Sequence, residues 1–325
     1  MQPALLAATP TAFVTLQDAG RVGWQRYGVS RSGAMDAEAL AIANILVGNA
    51  PDAAALEFAH AAGEWELRAT SCRIAVTGGR FAVFVDDEPV PAFTTVTLTR
   101  GQTLRIGGAP DAVWGYLAVA GGFDVAQQLG SLATHSRSGI GGLAGRAIRA
   151  GDALPLTADW VRAEPERSLR EPPMPRDAPL RVVLGPQSDF FTSDAIDTFL
   201  SAEYRVTHQM DRLGYQLSGP ALTHAKGYNI ISDGYVAGSI QVPGSGEPIV
   251  LLRDAQPPGG YPKIATILSA DLGRLTQSRP GRNVRFEAVE MDVAQRLRRE
   301  FVDRLAMIGE RIAEVTRRGT GVRRT

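Results

Sequence analysis

Between residues 56 and 156 the chain runs only a few residues before a turn signal stops it, and this limits its fold more than any other feature. Short strand-like stretches at 65–67, 73–77, 81–85, 96–98, 103–106 and 115–119 are separated by Gly78-Gly79, residues 86–89, Gly101 and residues 107–110. Such punctuation leaves no room for helices and predicts a β-barrel or sandwich. A Pro- and charge-rich segment at 163–179 has no apolar period and reads as a linker. Beyond it the pattern resumes with a strand at 180–184, a short helix near 193–200, and strands around Val206, Tyr215, Ile230, 249–252 and 284–286. Element order thus suggests one plan used twice. The expected fold is mainly β with a few helices: an N-terminal domain over 1–172, a C-terminal domain over 173–291, and a tail segment over 292–325.

In that last segment Leu297, Phe301, Leu305, Ile308, Ile312 and Val315 recur at spacings of four and three, which predicts an amphipathic helix packed on its own domain. Residues 317–325 read as a disordered basic tail. Near the other end, Asp36 is placed to cap a helix over 37–47, with Gly48 and Asn49 as its stop.

At 325 residues the chain is long enough for two cores. Its 34 basic and 34 acidic residues cancel, so neither nucleic acid nor an anionic membrane surface is an expected partner. No apolar run approaches a membrane span, and the first thirteen residues lack Lys and Arg, so a signal peptide is not expected and the location read is cytoplasmic. Cys72 is alone, and the four histidines are scattered without metal-ligand spacing; no metal site is expected.

Two loops concentrate chemistry. In residues 17–36 arginines stand at 21, 26 and 31 and glycines at 23, 28 and 33, a five-residue period that fits neither helix nor strand. Glycine opens backbone conformations and close approach, while arginine offers a fixed fork of donors for oxygen ligands. The second loop runs over 238–248 and 253–263, where alternating Gly and Pro specify a backbone path on either side of the 249–252 strand. Asp254, Gln256, Tyr261 and Lys263 supply an acceptor, an amide, a hydroxyl and an ammonium at a strand end. Hairpin turns around a core strand explain the Gly and Pro equally well, and a surface role explains Lys263. Arg212 suits a carboxylate ligand, or a surface pair with Asp211. His208 and His224 read as structural, and His60 and His135 more weakly still. There is no Gly-Lys-Ser/Thr loop, and residues 139–144 imitate a dinucleotide fingerprint without space for its helix, so they read as a turn. Arg137, Arg146 and Arg149 beside that turn read as solvated, or as positive charge for a cleft.

Gln17-Asp18 with Gly20-Arg21, residues 32–36, residues 44–49, Ala54 with Leu56-Glu57, residues 212–215, residues 238–243 and residues 259–262 together resemble the biotin-dependent carboxyltransferase family over about 11–289. That family includes allophanate hydrolase subunit 2 proteins, the KipI antagonist KipA and the C-type component of bacterial 5-oxoprolinase. The resemblance implies two cyclophilin-like β-barrel domains and a separately encoded partner of the subunit 1 or KipI type, which is the B-type component of 5-oxoprolinase, with an A-type component as a further one. It departs from the family at Gln256-Pro257-Pro258, where members often carry Gln-Thr-Thr; two hydroxyls are lost. Under the resemblance Arg21, Asp254 and Lys263 are the candidate catalytic groups. Gln17, Asp18, Ser32, Asp36, Arg212, Tyr215, Gln241, Gln256, Gly259, Gly260 and Tyr261 are the candidate binding residues.

Carboxybiotin, urea and 5-oxoproline all present amide-type groups, which need donors for an oxygen and an acceptor for N–H. The leading expectation is ATP-dependent opening of the 5-oxoproline lactam to glutamate with partner subunits, ATP lying at or near their interface. The sequence carries no Met-Lys-Met biotin segment, which disfavours self-contained carboxyl transfer; biotin supplied in trans to carboxylate urea or a similar amide is the alternative. A non-catalytic, KipA-like regulator that binds a KipI-type partner is the second alternative.

Overall fold

The computed structural model describes residues 2–173, 177–256 and 258–315. Among these residues the fold is mainly β with four helices. In the first half, Ala4–Pro10, Gly63–Leu67 and Thr103–Ile106 lie side by side within a six-stranded sheet. Thr15–Gln17, Ala55–Ala59, Trp114–Val119, Ser71–Thr77 and Thr95–Thr99 form, in that order, a five-stranded one. A single apolar cluster including Leu5, Leu16, Phe58, Trp65, Ile74, Leu104 and Leu117 joins their strands.

The strand Trp114–Val119 is buried along its whole length because it serves two cores. Leu117 and Val119 point into the first-half core, while Tyr116 and Ala118, alternating with them, face the other way. There they meet helix α1, Ala37–Val47, which is apolar almost all round and therefore has to be covered on several sides. Asp36 starts α1 by accepting from the amides of Glu38 and Ala39 at 3.1 Å each, and Gly48 ends it in the left-handed region at φ +85°. Ile42 and Leu46 of α1 belong to the same core cluster as Phe199, Tyr215, Ile240 and Val250 of the second half. The two halves therefore share a core across α1.

The second half is built on an eight-stranded sheet whose edges are Asn283–Val284 and Phe286–Ala288. Only Arg285 separates those two edge strands in the chain, so the sheet curls until its edges nearly meet. Helix α2, Ser193–Ser201, contacts the Phe286–Ala288 edge, and Thr192 caps it through the Ala195 amide. Helix α3, Leu272–Thr276, follows the strand Lys263–Ile267, and helix α4, Met291–Ala306, follows the last edge strand.

Several sequence expectations are corrected. Ile230 is in no strand; its amide donates to Gly260 O at 2.8 Å. The expected strand at 284–286 is split between opposite edges. The 163–179 segment is docked rather than free over its described part: Arg167–Leu169 pairs with Ile312–Glu314, and Glu166 accepts from Thr95 Oγ1 and the Thr97 amide. That pairing also shortens the expected terminal helix. It stops at Ala306, Ile308 enters the core from a 3-10 turn, and Ile312 lies on a strand. The tail expected to be disordered, 317–325, lies outside the described residues.

Candidate functional site

Residues 18–36 hold a shaped loop, interrupted only by a 3-10 turn at Gln25–Tyr27. Gly20 and Gly33 face each other at φ +84° and +89°, and a Cβ on Gly33 would stand 2.8 Å from the Gly20 amide nitrogen. No other residue fits that crossing. Asp18 ties the loop down: Oδ1 accepts from the Gly20 amide and Ser131 Oγ, and Oδ2 accepts from the Leu132 amide at 2.6 Å. Gln17 donates to Thr15 Oγ1 and Thr134 O, both at 3.0 Å, and accepts from the Gly33 amide at 3.1 Å. These two candidate binding residues spend their polar atoms on shape.

Arg21 is 1% exposed. Its Nη2 donates to Ala133 O, but Nε and Nη1 are buried without an acceptor. Burial lowers its proton affinity and Arg212 adds repulsion, against attraction from Asp18 and Asp254. Ser32, held at φ +54°, also has a buried, unpartnered Oγ. Two further orphans sit on neighbouring backbone. His135 leaves Nδ1 without a partner, while its Nε2 stands 3.4 Å from Asp254 O. Arg253 leaves Nε unpartnered, its carbonyl accepts from the Ser32 amide at 3.1 Å, and burial, with Arg31 next, pushes its pKa down to about 10.

Arg212 joins both halves at this place. Its Nε and Nη2 reach Asp254 Oδ2 and Oδ1 at 2.7 and 2.9 Å, Nη2 also donates to Gly33 O at 2.9 Å, and Nη1 donates to Glu57. The alternative, a surface pair with Asp211, is not formed; Asp211 instead accepts from the amides of Leu213 and Gly214. The carboxylates raise the proton affinity of Arg212 against the penalty of burial, so it remains a fixed cation. Glu57, fully buried, also accepts from the Met35 amide at 2.7 Å and Tyr116 OH at 2.8 Å. Tyr116 in turn accepts from the Asp36 amide at 2.7 Å. Asp36 accepts from Gln277 Nε2 at 3.0 Å, and Tyr215 OH bridges Trp114 Nε1 and Thr276 O. Asp36 and Tyr215 thus bind the two halves together.

Lys263, Gln241, Gly259, Gly260 and Tyr261 form a separate group. In the sheet register Gln241 lies beside Ile249 and Lys263, whereas Gly214, two residues after Arg212, lies beside Leu251 on the way to Asp254. Lys263 is therefore at the far end of the barrel from Asp254. It is buried, not on the surface, and donates to Asp233 Oδ2 at 2.8 Å. A Cβ on Gly259 would meet the Gln241 amide at 2.2 Å, while Tyr261 and Gln256 are exposed. His224 Nε2 lies 3.1 Å from Val242 O, as a structural histidine does. Arg146 is paired with Asp152, and residues 139–144 are turns.

Glu57, Tyr116, His135, Arg253 and Asp233 were not singled out as site residues. Glu57 carried a readable signal, a carboxylate between Leu56 and Phe58 in an apolar strand. The others lack a local one. The assembled junction offers N–H and O–H donors from Arg21, Ser32 and Arg253 that no acceptor among the described residues satisfies, beside the Asp254 carboxylate held by Arg212. Such donors suit a carbonyl oxygen or small oxyanion.

Fold and junction together define a protein whose two β halves build a polar site between them. The carboxyltransferase domain family, subdomains A and B, matches residues 27–288, and the chain belongs to that family. It is 37% identical over 298 residues to the 5-oxoprolinase C-type subunit of Haemophilus influenzae, covering 90% of this chain and 95% of that one. It is 36% identical to the 5-oxoprolinase C-type subunit of Escherichia coli, covering 89% and 92%. Among solved structures, Kluyveromyces lactis urea carboxylase superposes with a TM-score of 0.85 at 26% identity, over 97% of this chain and 30% of that one.

Proposed function

We propose that the protein is the C-type subunit of an ATP-dependent 5-oxoprolinase that works with separately encoded A- and B-type subunits, in the cytoplasm, to convert 5-oxo-L-proline to L-glutamate. The carrying observation is lengthwise correspondence: the match spans 95% of the Haemophilus influenzae 5-oxoprolinase protein, but only 30% of the urea carboxylase chain.

In this reading a free N–H of Arg21, from Nε or Nη1, and Ser32 Oγ hold the lactam carbonyl oxygen, where negative charge develops as the ring opens. Asp254, fixed by Arg212 through both carboxylate oxygens, keeps lone pairs for the lactam N–H. Lys263 and Gln241 act at the other end of the barrel by shaping the 256–261 loop. ATP supplies the activation of the carbonyl, and the junction does not fit a nucleotide. The start of α1, which otherwise suits phosphate, is already filled by Asp36. In this reading ATP binds at or near the partner interface.

The fold match to urea carboxylase favours one second reading, in which the same donors stabilise the ureido oxygen of biotin supplied in trans. The test is to purify the chain with its A- and B-type partners and measure glutamate release from 5-oxoproline with ATP. ATP-dependent release supports the proposal. A complete, folded complex that carboxylates urea supports the second reading, and one with neither activity supports a KipA-like regulator.

A further inference from the structure

Two loops that meet at one carbonyl carry most of their apolar side chains outward. Ser30 Oγ, at 2.9 Å, and Tyr235 OH both donate to Ala255 O, which brings the 20–30 loop against the 228–236 segment. On the first loop Val22 is 72% and Tyr27 65% exposed; on the second Ile231 is 93% and Val236 58% exposed. Large apolar groups concentrated in adjoining loops mark a contact surface rather than ordinary surface scatter.

Charge indicates what covers them. Arg26 and Arg31 project from the same loop, and neither has a carboxylate partner among the described residues: Arg26 lies over the Tyr27 ring and Arg31 reaches only Ala19 O. Arg31 also repels the half-buried Arg253. The nearby acids are committed, Asp233 to Lys263 and Asp18 to backbone amides and Ser131. An acidic occupant relieves this crowding, whereas a second copy presenting the same arginines adds to it.

We propose that this face, with Tyr27 and Val236 as its apolar anchors and Arg26 and Arg31 as its charged rim, docks an acidic, aliphatic-bearing surface of a different polypeptide. Resting on the reading given above, that polypeptide is the B-type subunit, and docking sets it beside the Arg21 and Asp254 junction.

The test uses full-length chain and B-type subunit, with calorimetry and light scattering at low and high salt. The proposal expects a one-to-one complex that weakens with salt. The doubly reversed variant Arg26→Glu/Arg31→Glu, and separately Val236→Asp, should weaken it by roughly tenfold or more while retaining the wild-type circular dichroism. Wild-type affinity in both variants overturns it, as does self-association that these variants abolish without any effect on the B-type subunit. Glutamate release by a complex that ignores these variants removes the docking site and keeps the function. Variant-sensitive assembly without release does the reverse.

Discussion

Arg212 and Asp254 are joined by two parallel hydrogen bonds, Nε to Oδ2 at 2.7 Å and Nη2 to Oδ1 at 2.9 Å, across the end of the second-half barrel. The same guanidinium holds Glu57 of the first half, so one side chain fixes a candidate catalytic carboxylate and the contact between halves. Arg212→Met leaves Glu57 buried beside no cation. It should lower the unfolding free energy by about 3–5 kcal/mol in urea titration. Arg212→Lys keeps the charge, loses the fork, and should recover only part of that loss.

Acid sensitivity should come in part from Asp271. Burial by itself raises its pKa, but the bonds from Arg181 Nε and Nη2 at 2.7 and 2.6 Å outweigh it, and the net direction is down. The folded carboxylate therefore binds its proton less readily than the unfolded one. It stabilises the fold above about pH 4, and that contribution is lost as the pH falls through the lowered folded value. Asp271→Asn should be less stable than wild type at pH 7, with the gap in denaturation free energy closing as the pH is taken down.

Cys72 should report unfolding. Its thiol is buried and pushed up to about 12 by that burial, so almost no thiolate exists at pH 8. Ellman's reagent should leave the native protein unlabelled over hours and react with one equivalent in denaturant.

The Lys263–Asp233 pair should respond asymmetrically, because the lysine side chain is 4% exposed and the aspartate 50%. Asp233→Ala strands a buried ammonium and should cost about 1–2 kcal/mol after allowance for solvent at the aspartate. Lys263→Met frees only a half-exposed carboxylate and should cost less. Thermal unfolding of both variants checks the order.

Much of this architecture was legible. The turn-punctuated stretches became strands, Asp36 and Gly48 bounded α1, and the Gly20–Gly33 crossing explains why the opening loop follows neither period. What escaped reading depends on partners distant in sequence. The 163–179 segment has no apolar period because its described part is docked by polar contacts, Glu166 holding Thr95 and Thr97. The spacing from Leu297 to Val315 is helical throughout, yet Ile312 is taken by strand pairing with Leu169, a choice made by tertiary contact. Arg212 has Asp211 beside it in sequence, but its partners lie 42 and 155 residues away. Lys263 and Asp254, close in the chain, are separated because the intervening loop runs from one end of the barrel to the other.

The unpartnered Nε and Nη1 of Arg21 at the junction are the donors on which ATP-dependent lactam opening is proposed to depend. The rate of glutamate release from 5-oxoproline by the assembled complex probes them, with wild-type chain and with Arg21→Lys, which keeps the charge and removes the fork. Release that requires ATP and falls about a hundredfold in a variant that still folds and assembles is the expected outcome. A fully assembled wild-type complex that releases no glutamate, or an Arg21→Lys complex with the wild-type rate, would overturn this reading of the junction.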